Sequence, residues 1–261
     1  MRLATAPGKI VALLGGCGMV FALVFTFFQL ALASLARNAL QEPYASEVTL
    51  TIRRCPRDFA PDGDLSKASW KVAESVEFDH DAFSQPRHPE LSTRVASLWT
   101  DNYIYVAFWA RHDSLNFYEG EDPAKERIKL WERDVVEVFL NPQPERLQHY
   151  FEFEVAPNNQ WVDLEIDKSK EPFNNAAWDS HFAHATRVDA KNRMWTTEMR
   201  IRLSAVNVAA IHAGDEWRAN FFRAAGQGGD EHRQFLAWST IPEGRTFHVP
   251  ARFGILEFVD K

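Results

Sequence analysis

Residues 195–203 alternate without a break. Trp195, Thr197, Met199, Ile201 and Leu203 fall on one side of an extended chain, and Thr196, Glu198, Arg200 and Arg202 on the other. A period of two is the signature of a strand. A strand that is apolar on one side only belongs in an antiparallel sheet with one face buried. The same kind of segment recurs along the chain. Strands are predicted over Thr93–Trp99, Tyr103–Arg111, 135–140, 150–155, 161–166, 217–224, 235–239 and Gly254–Val259. Tyr103–Arg111 is apolar on both faces and so reads as a central strand. Thr100-Asp101-Asn102 makes the hairpin before it, Asn141-Pro142 stops the strand at 135–140, and Pro157-Asn158-Asn159 turns the chain after 155. After residue 41 only 122–130 has a helical pattern longer than two turns. Short strands with turn signals every 8–12 residues indicate a sandwich or barrel. The expected fold is all-β, an antiparallel β-sandwich of jelly-roll or immunoglobulin-like type over 48–261, with one hydrophobic helix at the N-terminus.

That helix is the run 10–35, which carries no charge and follows Arg2 and Lys9. It is long enough to span a bilayer and longer than a usual signal core of roughly 7–15 residues. Yet Ala31-Leu32-Ala33 before Ser34 is a cleavage pattern, so residues 1–36 read as a signal peptide or a transmembrane anchor. Leu14-Gly15-Gly16-Cys17 also looks like a lipobox, although the apolar stretch continues well beyond the cysteine. The basic flank puts the N-terminus in the cytoplasm and the domain outside it. Residues 37–47 read as a linker. The expected location is therefore extracytoplasmic, secreted or anchored, with the membrane a partner if the segment stays uncleaved.

Three of the 29 basic residues and none of the 36 acids lie in the first 41 positions. The remainder holds 26 basic and 36 acidic residues, a net charge of -10. Such a domain repels phosphate backbones, and nucleic acid is not an expected partner. Cys17 lies in the apolar run, which leaves Cys55 without an intradomain disulfide; it reads as a small buried residue. There is no G-x-S-x-G elbow, no H-E-x-x-H, no Gly-rich phosphate loop and no C-x-x-C-H.

Two charges interrupt apolar faces. In the strand from 135, Glu137 lies between Val135 and Phe139; in the strand from 217, Arg223 follows Trp217, Ala219 and Phe221. An unpaired buried charge costs several kcal/mol, order of magnitude. Either the two pair with each other, or they line a polar pocket and hydrogen-bond sugar hydroxyls, for which a carboxylate and a guanidinium are suited. Trp131 stands beside the first of these strands and Phe247 in a late loop. A flat ring in such a place is either core or a platform for the C–H face of a pyranose.

Taken in order, a set of motifs resembles the family 9 carbohydrate-binding modules. They are Asp62-Gly63-Asp64 with Trp70, Leu98-Trp99-Thr100-Asp101-Asn102-Tyr103-Ile104-Tyr105-Val106, the stretch from Trp131 to Phe139, Gly214-Asp215-Glu216-Trp217, Ala237-Trp238-Ser239, and Phe247-His248-Val249-Pro250 with Arg252-Phe253-Gly254. The resemblance covers 48–259. It implies a jelly-roll-like β-sandwich with bound calcium, of a kind often attached to xylanases, which holds the end of a xylan or cellulose chain between two Trp rings. Carried over, the first ring is Trp131, Glu137 accepts sugar hydroxyls, and the second ring falls at Phe247. The carbohydrate-binding residues expected are Trp131, Glu137, Arg223, Phe247 and His248, with no catalytic residue. For calcium the resemblance offers only Asp62, Asp113 and Asp134. The sequence departs from the family where Phe247 replaces Trp and where Glu154 falls near a basic sugar contact. The stretch between Asp113 and Trp131 is also longer.

The implied function is non-catalytic carbohydrate binding in support of extracellular polysaccharide breakdown. Two alternatives stand beside it. One is a haem-binding sandwich, with Met194, Met199 and His248 as available ligands. The other is a glycoside hydrolase using Glu137, with Glu154 as its second carboxylate.

Overall fold

The computed structural model describes residues 48–260 apart from 85, 228 and 242–245. The apolar run 10–35 and the linker lie outside the described residues, as do the readings placed on them. Among the described residues no helix is long and apolar enough to cross a membrane.

The described chain is all-β. Its strands are β1 (Thr49–Arg54), β2 (Ser75–Phe78), β3 (Thr93–Trp99), β4 (Tyr103–Arg111), β5 (Val135–Asn141), β6 (His149–Val155), β7 (Trp161–Asp167), β8 (Asn174–Asn175), β9 (Ala183–Asp189), β10 (Met194–Arg202), β11 (Glu216–Ala225), β12 (Gln234–Ala237) and β13 (Gly254–Val259). They form one hydrogen-bonded path, β8-β7-β6-β5-β11-β13-β1-β3-β4-β10-β9, with β12 on β11 and β2 on β3. The sheet is mixed, where antiparallel pairing throughout was expected: β1 runs parallel to both β13 and β3. No hairpin links β1 to either neighbour, so nothing forces an antiparallel partner, and the long excursion from Cys55 to Ser92 supplies the crossover that parallel pairing needs. The two halves of the sheet share one core. Ile52, Phe108 and Ile201 from one half cluster with Val138, Phe153 and Phe221 from the other.

Alternation produces the strands where it was read, within a residue or two at their ends. β4 is buried along most of its length between β3 and β10. Its hairpin closes as the turn chemistry requires, with the Thr100 N–H donating to the Tyr103 carbonyl at 2.9 Å and the Tyr103 N–H donating to Thr100 Oγ1 at 3.1 Å. The helix expected over 122–130 does not form. The Arg127 N–H donates to the Trp161 carbonyl instead, at 2.8 Å, Lys129 takes a left-handed φ of 68°, and only the short 3-10 turn Leu130–Glu132 follows.

The polar side of β10 is covered at its centre, although Arg202 at its end is exposed. Glu198 is fully buried, and the segment 62–71 closes over it. The backbone N–H groups of Asp62 and Gly63 donate to Glu198 Oε2 at 2.7 and 2.9 Å. Lys67 Nζ and Trp70 Nε1 each donate to its carboxylate at 2.7 Å. Gly63 has φ +75°, and a Cβ there would stand 2.9 Å from the Thr186 backbone, so glycine is required. Trp70 packs with Cys55, Leu65, Leu98 and Tyr105 on the outer side of β3 and β4.

Candidate functional site

On the opposite half of the sheet the same alternation builds a second apolar layer. Val136, Val138 and Leu140 of β5 and Phe151, Phe153 and Val155 of β6 enter the shared core. Val135 and Phe139, Tyr150, and Phe222 and Ala224 of β11 face the other way and carry the second cluster. Loop aromatics Phe83, Trp131, Phe173, Phe235 and Phe247 pack on its margin. Between them opens a cleft of about 1160 Å³, with Glu137, Phe139 and Glu152 among the strand residues that line it and Asp81, Asp230, Glu231, Arg233 and His248 among those contributed by loops.

Its two expected aromatic residues differ in what they can offer. Trp131 is half-buried, lines the cleft, and has no ring partner among the described residues. Phe247 lies parallel to Phe222, with centroids 4.1 Å apart and planes 8° apart, and within 5.6 Å of Phe83. One face of Phe247 is therefore spent on the protein itself.

The cleft floor is acidic. Register puts Glu137 directly opposite Glu154, and Glu152 lies two residues along the same strand and on the same face. Glu137, Glu152 and Glu154 are 2 %, 3 % and 0 % exposed. Glu137 Oε1, Glu152 Oε2 and both carboxylate oxygens of Glu154 are buried without a hydrogen-bond partner. Burial raises all three carboxyls: Glu137 and Glu154 rise well above the usual carboxylate range, helped by their acidic neighbours, and Glu152 rises to about 7. Arg233 is the nearby cation that opposes the rise at Glu137 and Glu154. Its Nη2 donates to the Trp131 and Arg133 carbonyls at 2.6 and 2.8 Å and its Nη1 to Asp230 Oδ1 at 3.2 Å, while its Nε is buried without a hydrogen bond.

His248 lines the cleft. Its Nδ1 is 2.8 Å from the Tyr150 hydroxyl and its Nε2 is 3.9 Å from Glu152 Oε2. Burial, with Lys168 adding to it, lowers the imidazole to about 4, so the ring is neutral at neutral pH. Trp131, Glu137, Phe247 and His248 are thus brought together, and Arg223 is not. Glu137 pairs in register with Phe222, which turns Arg223 to the core face. There Arg223 donates to the Leu91 carbonyl at 2.9 Å and to Thr93 Oγ1 at 3.2 Å, and burial lowers it to about 10, still charged at neutral pH. It neither pairs with Glu137 nor reaches the cleft. The basic residue of the cleft is Arg233, which no period-two pattern marked.

Profiles of known families decide what kind of domain this is. That of the carbohydrate family 9 binding domain-like proteins matches residues 62–261. The chain belongs to this family. An "Extracellular protein" of Arthroderma benhamiae is 26% identical over 195 residues, covering 70% of this chain and 85% of that protein. The fold is shared with solved structures. A Bacteroides uniformis protein proposed to bind carbohydrate has a TM-score of 0.63 at 18% identity, over 80% of this chain and 98% of its own. A family 9 module of Caldicellulosiruptor kristjanssonii in complex with cellotriose has a TM-score of 0.60 at 16% identity, over 82% and 95%.

The family 9 resemblance also implied calcium, and the aspartates offered for it do not fit. Asp62 is ion-paired to Lys67 at 2.9 Å, Asp113 to Arg193 at 2.9 Å, and Asp134 accepts the N–H groups of Gly226 and Asn116 at 2.8 and 3.1 Å. Each already has protein donors, and among the described residues none belongs to a group of three candidate ligands; the group that exists is Glu137, Glu152 and Glu154. The haem ligands do not meet either, since Met199 is in the shared core, Met194 lines a separate groove beside Gly63 and Arg187, and His248 is in the cleft wall.

Proposed function

We propose that this family 9 domain binds carbohydrate in the cleft floored by Glu137 and Glu152, without chemical change to the sugar. The observation that carries the reading is a half-buried indole with no ring partner beside buried carboxylate oxygens with no donor. A pyranose answers both needs, since its C–H face packs on a flat ring and its hydroxyls donate to carboxylates. A cleft with mixed aromatic and polar walls is also the usual form of a small-ligand site. Xylan- or cellulose-type chains or a related glycan are the substrates we assign, acting in support of polysaccharide breakdown outside the cytoplasm. The extracellular relative and the basic flank of the apolar run support that location. Binding is favoured over hydrolysis by the placing of Glu137 and Glu154. They stand side by side on one floor, whereas hydrolysis sets two carboxylates on either side of the scissile bond.

Calorimetric titration with xylo- and cello-oligosaccharides tests this. Saturable heat is expected with wild type. Trp131→Ala should weaken binding at least tenfold, and Phe247→Ala less, because Phe222 already covers one face of that ring. No heat with any of these sugars from a protein with an unchanged far-UV spectrum would refute the reading, as would a Trp131→Ala variant that binds like wild type.

A further inference from the structure

Three carboxyls crowd the cleft floor without a counter-charge in hydrogen-bonding contact. Oxygens of Glu137, Glu152 and Glu154 lie within 4.8 Å of one another, and all three side chains are more than nine-tenths buried. Crowding alone would be weak. The second observation is that the innermost group, Glu154, has both oxygens buried with no donor except the Glu152 carboxyl, which can serve only by holding a proton, and that Glu137 and Glu152 also keep buried oxygens without a donor. Buried polar atoms are nearly always hydrogen-bonded, and an orphan in a native protein calls for a ligand or ion. Arg233 acts on Glu137 and Glu154 only as a nearby charge: its Nη atoms donate to the Trp131 and Arg133 carbonyls and to Asp230, and its buried Nε makes no hydrogen bond to the floor. His248 reaches no nearer than 3.9 Å to Glu152.

We propose that Glu137, Glu152 and Glu154 form a divalent-cation site in the floor of the cleft. Carboxylate oxygens suit a hard ion of the calcium class, which takes six to eight oxygens at about 2.3–2.6 Å, so that ligands on opposite sides of it stand about 5 Å apart. The observed spacing fits inside that limit. Three glutamates supply three to six oxygens and leave positions for others. Glu137 and Glu152 line the cleft and Glu154 lies behind them, so those positions face the ligand space. That sugar hydroxyls fill them rests on the carbohydrate reading; the ion site itself does not.

The test is calorimetric titration of chelator-treated full-length protein with Ca²⁺ in the absence of sugar, repeated with Glu154→Gln, Glu137→Gln and the exposed control Asp113→Asn. Terbium luminescence excited through the nearby indole gives a second readout. Wild type and Asp113→Asn should bind one ion alike, and both glutamine variants should lose at least tenfold in affinity. Glu154→Gln should melt higher than wild type in chelator, which separates a lost site from a lost fold. The assignment is overturned if wild type binds neither Ca²⁺, Mg²⁺ nor Mn²⁺, or if both glutamine variants bind like wild type. Binding of glucosamine oligosaccharides by a protein that takes no ion would overturn it in favour of an ammonium ligand. Sugar titrations with and without Ca²⁺ keep the two proposals apart: equal affinity in chelator removes the ion from sugar recognition and leaves carbohydrate binding standing.

Discussion

Two buried glutamates sit at opposite ends of the strand order and live in opposite circumstances. Glu198 on β10 is fully enclosed and receives two backbone N–H groups, an ammonium and an indole N–H. Glu154 on β6 is equally enclosed, and the one group within hydrogen-bonding reach of its carboxyl is another acid, Glu152. The first is a structural anchor: it ties the Asp62-Gly63 turn and Trp70 to the sheet. The second has no structural task that its surroundings reveal, and it stands behind a cleft. The contrast shows that burial of a charge is not by itself a sign of function. What separates the two is whether the protein has provided the donors.

The comparison can be broken from either side. The larger effect is expected at the anchor. Glu198→Ala leaves Lys67 and the Trp70 indole without their acceptor, and should cost about 3–5 kcal/mol in urea unfolding. A loss below about 1 kcal/mol would mean that the 62–71 segment closes without it. Glu154→Gln should have the opposite sign, a gain of about 1 kcal/mol in chelator at neutral pH, because it removes an acid whose ionisation burial and its acidic neighbours oppose. That gain should depend on pH. The folded floor carboxyls are raised, so the folded state holds protons that the unfolded chain releases near 4.5, and the stability they contribute is present below that value and lost as pH rises through their raised folded values. The gap between Glu154→Gln and wild type should therefore widen from pH 4.5 to 8. Asp163, also raised to about 7 by burial, is common to both proteins and cancels in the difference. A gap that stays flat or narrows would mean that the floor is neutralised in some other way.

Much of the fold was legible because the evidence for strands is local. The alternation in 195–203 and 150–155 assigned every residue to a side, and β10 and β6 follow those assignments. What could not be read was what covers each side. Glu198, Glu152 and Glu154 all stood on the polar sides of their strands, and only Glu154 was given a role, through the family resemblance and the hydrolase alternative. Each is buried by loops distant in sequence, the 62–71 segment in one case and the segments carrying Phe83, Phe173 and Phe247 in the other. Nor does alternation give the relative phase of two strands. Glu137 and Arg223 each interrupt an apolar pattern, but the β5–β11 register sends them to opposite faces. β1, β2, β8 and β9 went unread: β2 and β8 are only four and two residues long, β9 lies at the end of the path with little apolar alternation, and β1 marked only the start of the domain. Motif order reached further than periodicity, placing Trp131, Glu137, Phe247 and His248 at one cleft, while Arg233 had no local signal at all.

The most direct test of the central claim is a crystal structure of the protein grown with a cello-oligosaccharide and Ca²⁺. The account predicts a sugar ring packed on Trp131, with hydroxyls directed to the floor formed by Glu137 and Glu152. A sugar bound elsewhere on the surface, or an empty cleft at saturating sugar, would contradict it.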